Sequence, residues 1–125
     1  MSDNFKINPQ GSANVKNLKM TAGWNLSATE LTASAAIPGN VSYVELNNSG
    51  GVIAATIAAP KAGRFLVITQ TDAGTQGHTV TCTLGDFDGT NAIATFNAAE
   101  ETLVLFGVSA TRFVIVENIG SVALS

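Results

Sequence analysis

The stretch that decides the fold is His78-Thr79-Val80-Thr81-Cys82-Thr83-Leu84. Its apolar residues alternate with threonines, which is the period-two pattern of a β-strand with one buried face. Polar turn sequences that contain glycine lie on both sides of it, at residues 72–77 and 85–90. The stretch therefore predicts a half-buried strand between two loops, with Val80, Cys82 and Leu84 facing the core.

The same alternation of strand and turn continues through the rest of the chain from residue 41 onward. Residues 64–71 are apolar on both faces at positions 65–68, which is typical of a central strand covered on both sides. Residues 28–33, with Ser27 as a cap, favour at most one helical turn. The predicted strands are 41–46, 52–58, 64–71, 78–84, 92–96, 102–108, 112–117 and 122–124.

About eight short strands joined by hairpin-length loops indicate an all-β fold with antiparallel pairing. We therefore expect a single antiparallel β-sandwich or jelly-roll-like domain over residues 26–125. Residues 1–25 show no sustained apolar period and are interpreted as an extended N-terminal arm. The alternative is a flexible terminus without a function.

The arm carries large apolar groups and lysines that suit attachment to a partner. Residues 1–25 contain three lysines and one acidic residue, Asp3, so their net charge is +2, whereas the rest of the chain has a net charge of −5. A basic arm on an acidic body favours docking on an acidic surface. The residues predicted to attach the arm to its partner are Phe5, Lys6, Ile7, Lys16, Lys19 and Trp24.

Composition narrows the classes of function. The 125 residues are 46% apolar but only 12% charged, as in proteins that contact other protein over much of their surface or that function outside a cell. The net charge of −3 argues against a nucleic-acid partner. One cysteine excludes an intrachain disulfide, and no run approaches the ~20 apolar residues of a membrane span. The start lacks the layout of a secretory signal, so we expect synthesis in a cytoplasm without export by the usual route.

The residue types needed for catalysis are scarce. His78 and Cys82 would share a strand face, but four residues separate them by roughly 13 Å, too far for a nucleophilic pair. Cys82 is expected in the core, and His78 is expected to be solvated at the edge of a loop. We therefore expect no catalytic residue, metal or cofactor.

Two acidic turns need separate consideration. Asp86 and Asp88 offer oxygen ligands, but the twelve-residue calcium loop is absent, so we favour a turn whose carboxylates accept backbone N–H groups. Ion binding there is the alternative. Glu100 and Glu101 are adjacent and would face opposite sides of a strand, so they cannot form an acid–base pair from one face and are expected in a turn or at a sheet edge.

A series of turn and strand segments occurs in a fixed order within residues 41–117. The segments are Leu46-Asn47-Asn48-Ser49-Gly50-Gly51, residues 55–65, Thr71-Asp72-Ala73-Gly74, His78-Thr79-Val80-Thr81, Phe87-Asp88-Gly89, Asn97-Ala98-Ala99-Glu100-Glu101 and Arg112-Phe113-Val114-Ile115. Their order and spacing resemble small β-domains of tailed-bacteriophage virion proteins, among them head-decoration (cement) proteins, head fibres and tail-fibre modules. In that family a Gly-Thr-Asn-Trp-Tyr-like segment often ends the module, and Ser109-Ala110-Thr111-Arg112-Phe113 stands in its place here.

The resemblance implies a non-enzymatic structural virion protein, made in the host cytoplasm, that binds the outside of a phage capsid. Its implied partner is the major capsid protein, and its implied assembly is a homo-oligomer, with a trimer favoured. The first alternative is a fibre or receptor-binding module for a host-surface glycan, for which Tyr43 and Trp24 are the available stacking residues. A cellular carbohydrate-binding or adhesin domain comes third, and an enzyme last.

Overall fold

A computed structural model of the chain describes residues 26–125. These residues form nine strands and no helix. Each of the eight predicted strands is present, with bounds that differ by one or two residues. The strands are β1 (Ala28–Leu31), β2 (Tyr43–Leu46), β3 (Ala54–Ile57), β4 (Phe65–Gln70), β5 (His78–Cys82), β6 (Ile93–Phe96), β7 (Thr102–Gly107), β8 (Phe113–Ile119) and β9 (Ala123–Leu124).

The interpretation of residues 28–33 as a helical turn is wrong, because Ala28–Leu31 pairs with β2 as a strand. The carbonyl of Ser27, interpreted as a helix cap, instead accepts hydrogen bonds from the amides of Ser42 and Tyr43. A four-residue strand is too short to show a clear period, so its partner, and not its own sequence, decides its conformation.

The strands form two mixed sheets, so the fold is all-β and β-sandwich-like. The first has five strands in the order β1-β2-β4-β7-β8, and the second has four in the order β3-β5-β6-β9. The pairs β1–β2, β2–β4 and β3–β5 are parallel, and the other pairs are antiparallel. The prediction of antiparallel sheets is therefore wrong for the first half of the chain.

The parallel pairs arise because short loops carry the chain from one sheet to the other instead of joining neighbours. β2 and β4 lie side by side in the five-stranded sheet, while the intervening β3 belongs to the four-stranded sheet. The link between β1 and β2 behaves similarly, since Ala36 forms a parallel bridge with Thr56 of β3. When consecutive strands lie in alternate sheets and run in opposite directions, every second strand lies in the same sheet and runs in the same direction.

The core lies between the two sheets and contains apolar side chains from both. Ala55 and Ile57 of β3, and Ile53 just before it, alternate along the chain and are at most 1% exposed, as their spacing predicts. The core position of Cys82 is confirmed, and burial raises the pKa of its thiol. Leu84 differs from the prediction, because β5 ends at Cys82 and leaves the Leu84 side chain exposed in the following turn.

Candidate binding surface

The side of the five-stranded sheet that faces away from the core carries a continuous group of apolar side chains. Register places Tyr43, Val67 and Val104 beside one another on β2, β4 and β7. Phe65 and Phe106 are paired across β4 and β7, and Val114 of β8 is paired with Phe106. We call this group the outer apolar patch, consisting of Tyr43, Phe65, Val67, Val104, Phe106 and Val114.

The patch is accessible to solvent among the described residues. Phe65 is 40% exposed and Phe106 39% exposed, and the other members are partly buried against their neighbours. Leu66 and Ile68 are fully buried, as expected, but Phe65 and Val67 face outward, so residues 26–125 do not supply the predicted cover on the second side of residues 65–68. Paired aromatic residues on an open face are typical of a surface that another apolar group covers.

The outward side of the four-stranded sheet has a different chemistry. Its strand positions hold mainly threonine and alanine, and Ile93, 36% exposed, is its only large apolar residue. The two outer faces of residues 26–125 thus differ in kind. One presents hydroxyls and methyl groups to water, and the other presents aromatic rings and valines.

Charge is also unevenly placed around the five-stranded sheet. The charged residues at its outward strand positions are all acidic: Glu30 and Glu45, which are neighbours across β1 and β2, and Glu117, which is paired with Val104. The cations of residues 26–125 are instead in turns at the end of the sheet where β4 begins. These cations are Lys61, Arg64 and Arg112.

A second polar feature is a buried pair formed by His78 and Asp72. His78 Nε2 lies 2.7 Å from Asp72 Oδ2, and the amide of Ile53 donates to His78 Nδ1 at 3.0 Å. Because Nδ1 accepts a hydrogen bond, Nε2 carries the hydrogen and the ring is neutral in this arrangement. Asp72 also accepts from the amides of Asn48 and Gly74, at 2.9 and 2.8 Å.

The expectation of a solvated His78 is wrong, since its side chain is fully buried. Burial is tolerated because both ring nitrogens have partners on other segments. Burial alone raises the pKa of Asp72, but the hydrogen bonds from Asn48, His78 and Gly74 together hold it below its usual value. Both nitrogens of the ring are engaged and water is excluded, so the pair joins two loops to β5 and presents no group to a substrate.

The acidic turns have the structure predicted for them. Asp88 Oδ1 accepts hydrogen bonds from the backbone amides of Thr90 and Asn91, and Asp88 Oδ2 accepts one from the Asn91 side chain. These hydrogen bonds, those from Asn91 above all, lower the pKa of Asp88. The carboxylate of Asp86 accepts from the Gly89 amide. Within residues 26–125, no group of three or more His, Cys, Asp or Glu side chains is arranged to hold a metal.

The two adjacent glutamates also lie in a turn. Glu100 is exposed and has φ of 68°, and Glu101 is buried and accepts from the Asn97 amide. They thus lie in the connection between β6 and β7, and Glu101 has a structural partner.

The described surface offers no concave site. Residues 26–125 form no pocket, and with no helix among them there is none that is long and apolar enough to span a membrane. The six residues predicted to attach the arm (Phe5, Lys6, Ile7, Lys16, Lys19 and Trp24) lie outside the described residues. Of the two candidate stacking residues, Tyr43 lies on the outer apolar patch and Trp24 lies outside the described residues.

The outer apolar patch was not predicted as a site from the sequence. Its signal was present, because residues 65–68 and 103–106 are apolar on both faces of their strands, but residues 65–68 were interpreted as covered on both sides. No family model matches the chain, and neither a curated protein nor a solved structure matches it.

Proposed function

We propose that the protein is a non-catalytic structural protein of a bacteriophage particle that binds the outside of the capsid and decorates or stabilises it. The observation that carries the proposal is the outer apolar patch on a described body without a pocket. Binding through a flat apolar sheet face needs buried area and shape complementarity, and it needs no reactive group. The resemblance to virion β-domains supplies the biological setting.

In this proposal the arm completes the attachment. Phe5, Ile7 and Trp24 are the anchors that would enter apolar sites on the major capsid protein, because large apolar and aromatic residues dominate the energy of small interfaces. Lys6, Lys16 and Lys19 would pair with acidic groups and accelerate the encounter. The protein would reach the capsid surface after synthesis in the host cytoplasm and assemble there as a homo-oligomer, a trimer by resemblance.

The test is co-sedimentation of the purified full chain with heads of the virus that encodes it. We expect the wild-type chain to saturate the heads at a fixed ratio. Phe106→Lys should abolish saturation by placing a charge at the centre of the patch. Ile93→Lys is the matched control on the other sheet and should bind as the wild type does, since both side chains are similarly exposed.

The arm is tested in the same assay by reversing its charge with Lys6→Glu, Lys16→Glu and Lys19→Glu together. Binding should weaken, and the salt dependence of the remaining binding should become shallower. If neither the wild type nor any variant binds heads, decoration is excluded and a role away from the head takes its place.

The second candidate is a fibre or receptor-binding module that recognises a host-surface glycan. The observation that favours it is the partly exposed Tyr43, which lies on the patch beside Val67 and offers a ring for sugar stacking. Glycan binding that is lost in Tyr43→Ala, together with absence of binding to heads, would favour this function over decoration.

A further inference from the structure

We propose that in the free protein the outer apolar patch is covered by residues 1–25 of the same chain, with Trp24 against the patch. The inference concerns the protein before it meets a partner. It stands whether or not the protein decorates a capsid.

Residues 1–25 join the described body at an edge of the sheet that carries the patch. β1 is an edge strand of the sheet that carries the patch, and Ala28 lies beside Tyr43. Because β1 runs parallel to β2 and β4, the residues that precede Ala28 are at the same end of the sheet as Phe65. Leu26, the first described residue, is 53% exposed.

Residues 1–25 are long enough to reach every part of the patch. Neighbouring strands are about 4.8 Å apart, so β4 lies roughly 10 Å from β1 across the sheet. Four extended residues span about 13 Å, which brings Trp24 within reach of both Tyr43 and Phe65. Crossing all five strands requires roughly 19 Å, or about six extended residues, and the segment has 25.

Residues 1–25 are also chemically complementary to the outer face of the five-stranded sheet. Residues 1–25 combine a net charge of +2 with Phe5, Ile7, Leu18 and Trp24. The outward strand positions of the five-stranded sheet combine an apolar centre with acidic groups only, as described above. A basic segment with spaced apolar residues therefore fits this face when it crosses from the entry end, where Lys61, Arg64 and Arg112 lie, toward the apolar centre and the acids.

A second copy of the chain fits the same face less well. A second copy would bring a body of net charge −5 (residues 26–125) to the outward acids Glu30, Glu45 and Glu117, and like charges oppose association. The segment that is already joined to β1 also acts at a high effective concentration, which favours an intrachain contact.

If the same segment also attaches the protein to a particle, binding becomes an exchange. The apolar residues of the segment leave the patch for the partner, and the patch is then free to form its own contact. The free protein would in this way keep both apolar surfaces from water until a partner is present.

Trp24 makes the proposal measurable, because it is the only tryptophan. We would record its emission maximum and its quenching by iodide in the full chain at several protein concentrations, without heads. The expected result is blue-shifted, weakly quenched emission that does not change with concentration. Phe106→Lys and, as a second variant, Phe65→Lys should shift the emission to longer wavelength and increase the quenching severalfold. Ile93→Lys should leave both quantities unchanged.

Circular dichroism identifies any variant that is unfolded, and the outward position of Phe65 and Phe106 makes lysine tolerable at both sites. The proposal would be overturned if Trp24 in the wild-type protein had the same emission maximum and the same iodide quenching as in the denatured chain. Protection that survives both patch substitutions would also overturn it. Sedimentation measures whether the protein dimerises. If Trp24 is protected from iodide only at concentrations where the protein is a dimer, a second copy covers the patch and the proposal is overturned.

Discussion

At the scale of single residues, His78 is held by contacts that come from distant parts of the chain. Asp72 lies across a loop and the Ile53 amide lies on the segment that enters β3, so neither partner can be inferred from the residues beside His78. The residues around His78 therefore predict a solvated side chain. The burial of Cys82, in contrast, can be predicted from its neighbours on the same strand.

Asp72→Asn is expected to lower the free energy of unfolding by about 1.5–3 kcal/mol at neutral pH. The carboxylate accepts hydrogen bonds at both oxygens, so an amide in either orientation places a donor against another donor. Urea denaturation measures the change, with Glu45→Gln on the outer face as the control. Equal stability of Asp72→Asn and the wild type would contradict the assigned hydrogen bonds.

Acid should destabilise the protein through Asp72 and Asp88, whose pKa values are held below the usual value in the folded state. A depressed folded pKa contributes stability that is fully present above the unfolded pKa of about 3.9. That contribution is lost as the pH falls from there through the folded pKa. Denaturation midpoints measured across this window should decline, and the decline should be shallower in Asp72→Asn. Parallel profiles would show that Asp72 does not contribute.

Gly107 marks a place where backbone approaches backbone. A Cβ at this position would overlap the carbonyl oxygen of Lys61, in the turn before β4. Gly107→Ala is therefore expected to cost about 1–3 kcal/mol of unfolding free energy. Gly39→Ala is the matched control, because a Cβ there meets no atom within 4 Å, and it should change stability by less than about 0.5 kcal/mol. Equal effects of both substitutions would contradict the packing.

At the scale of elements, the strands could be predicted but their pairing could not. Alternation within β3, β5 and β7 depends only on which residues face the core, so it is visible in the sequence. Pairing depends on which sheet each loop leads to. The turn sequences after β2 and β3 look like hairpin turns, yet both carry the chain to the opposite sheet. That is why parallel pairs were missed.

Leu66 tests the position of β4 in the middle of its sheet. Its side chain is fully buried, so Leu66→Ala should lower the free energy of unfolding by about 2–5 kcal/mol through lost contacts and the cavity left behind. Leu84→Ala provides the control, since Leu84 is 68% exposed and its loss should cost less than about 0.5 kcal/mol. A small effect of Leu66→Ala would place β4 at an edge instead.

At the scale of the whole molecule, the candidate surface is defined by what the chain leaves uncovered. Residues 65–68 are apolar on both faces, and the sequence alone does not specify whether the second face meets the same chain, another chain or water. Only the order of the sheets shows that no described element packs on the outside of β4 and β7. The outer apolar patch therefore became visible only once the fold was assembled.

The shared core predicts one cooperative unfolding transition. Leu66 of the five-stranded sheet and Val80 of the four-stranded sheet belong to the same apolar cluster, so neither sheet retains its packing without the other. In calorimetry, Leu66→Ala and Val80→Ala should each shift a single transition whose calorimetric and van't Hoff enthalpies agree. Two separate transitions in either variant would show that the sheets are stabilised independently.

The alternation of the chain between the sheets also determines how quickly the molecule can form. β2 pairs with β4 across the intervening β3, and β3 pairs with β5 across the intervening β4. Only β5–β6 and β7–β8 are local hairpins, so the remaining pairs of both sheets need longer chain closures. Each step closes a loop before its contacts are gained, and this raises the entropic barrier to the transition state. Newly made chains should consequently reach the native state in milliseconds to seconds rather than microseconds, and their unpaired strand edges stay open to other nascent chains over that interval.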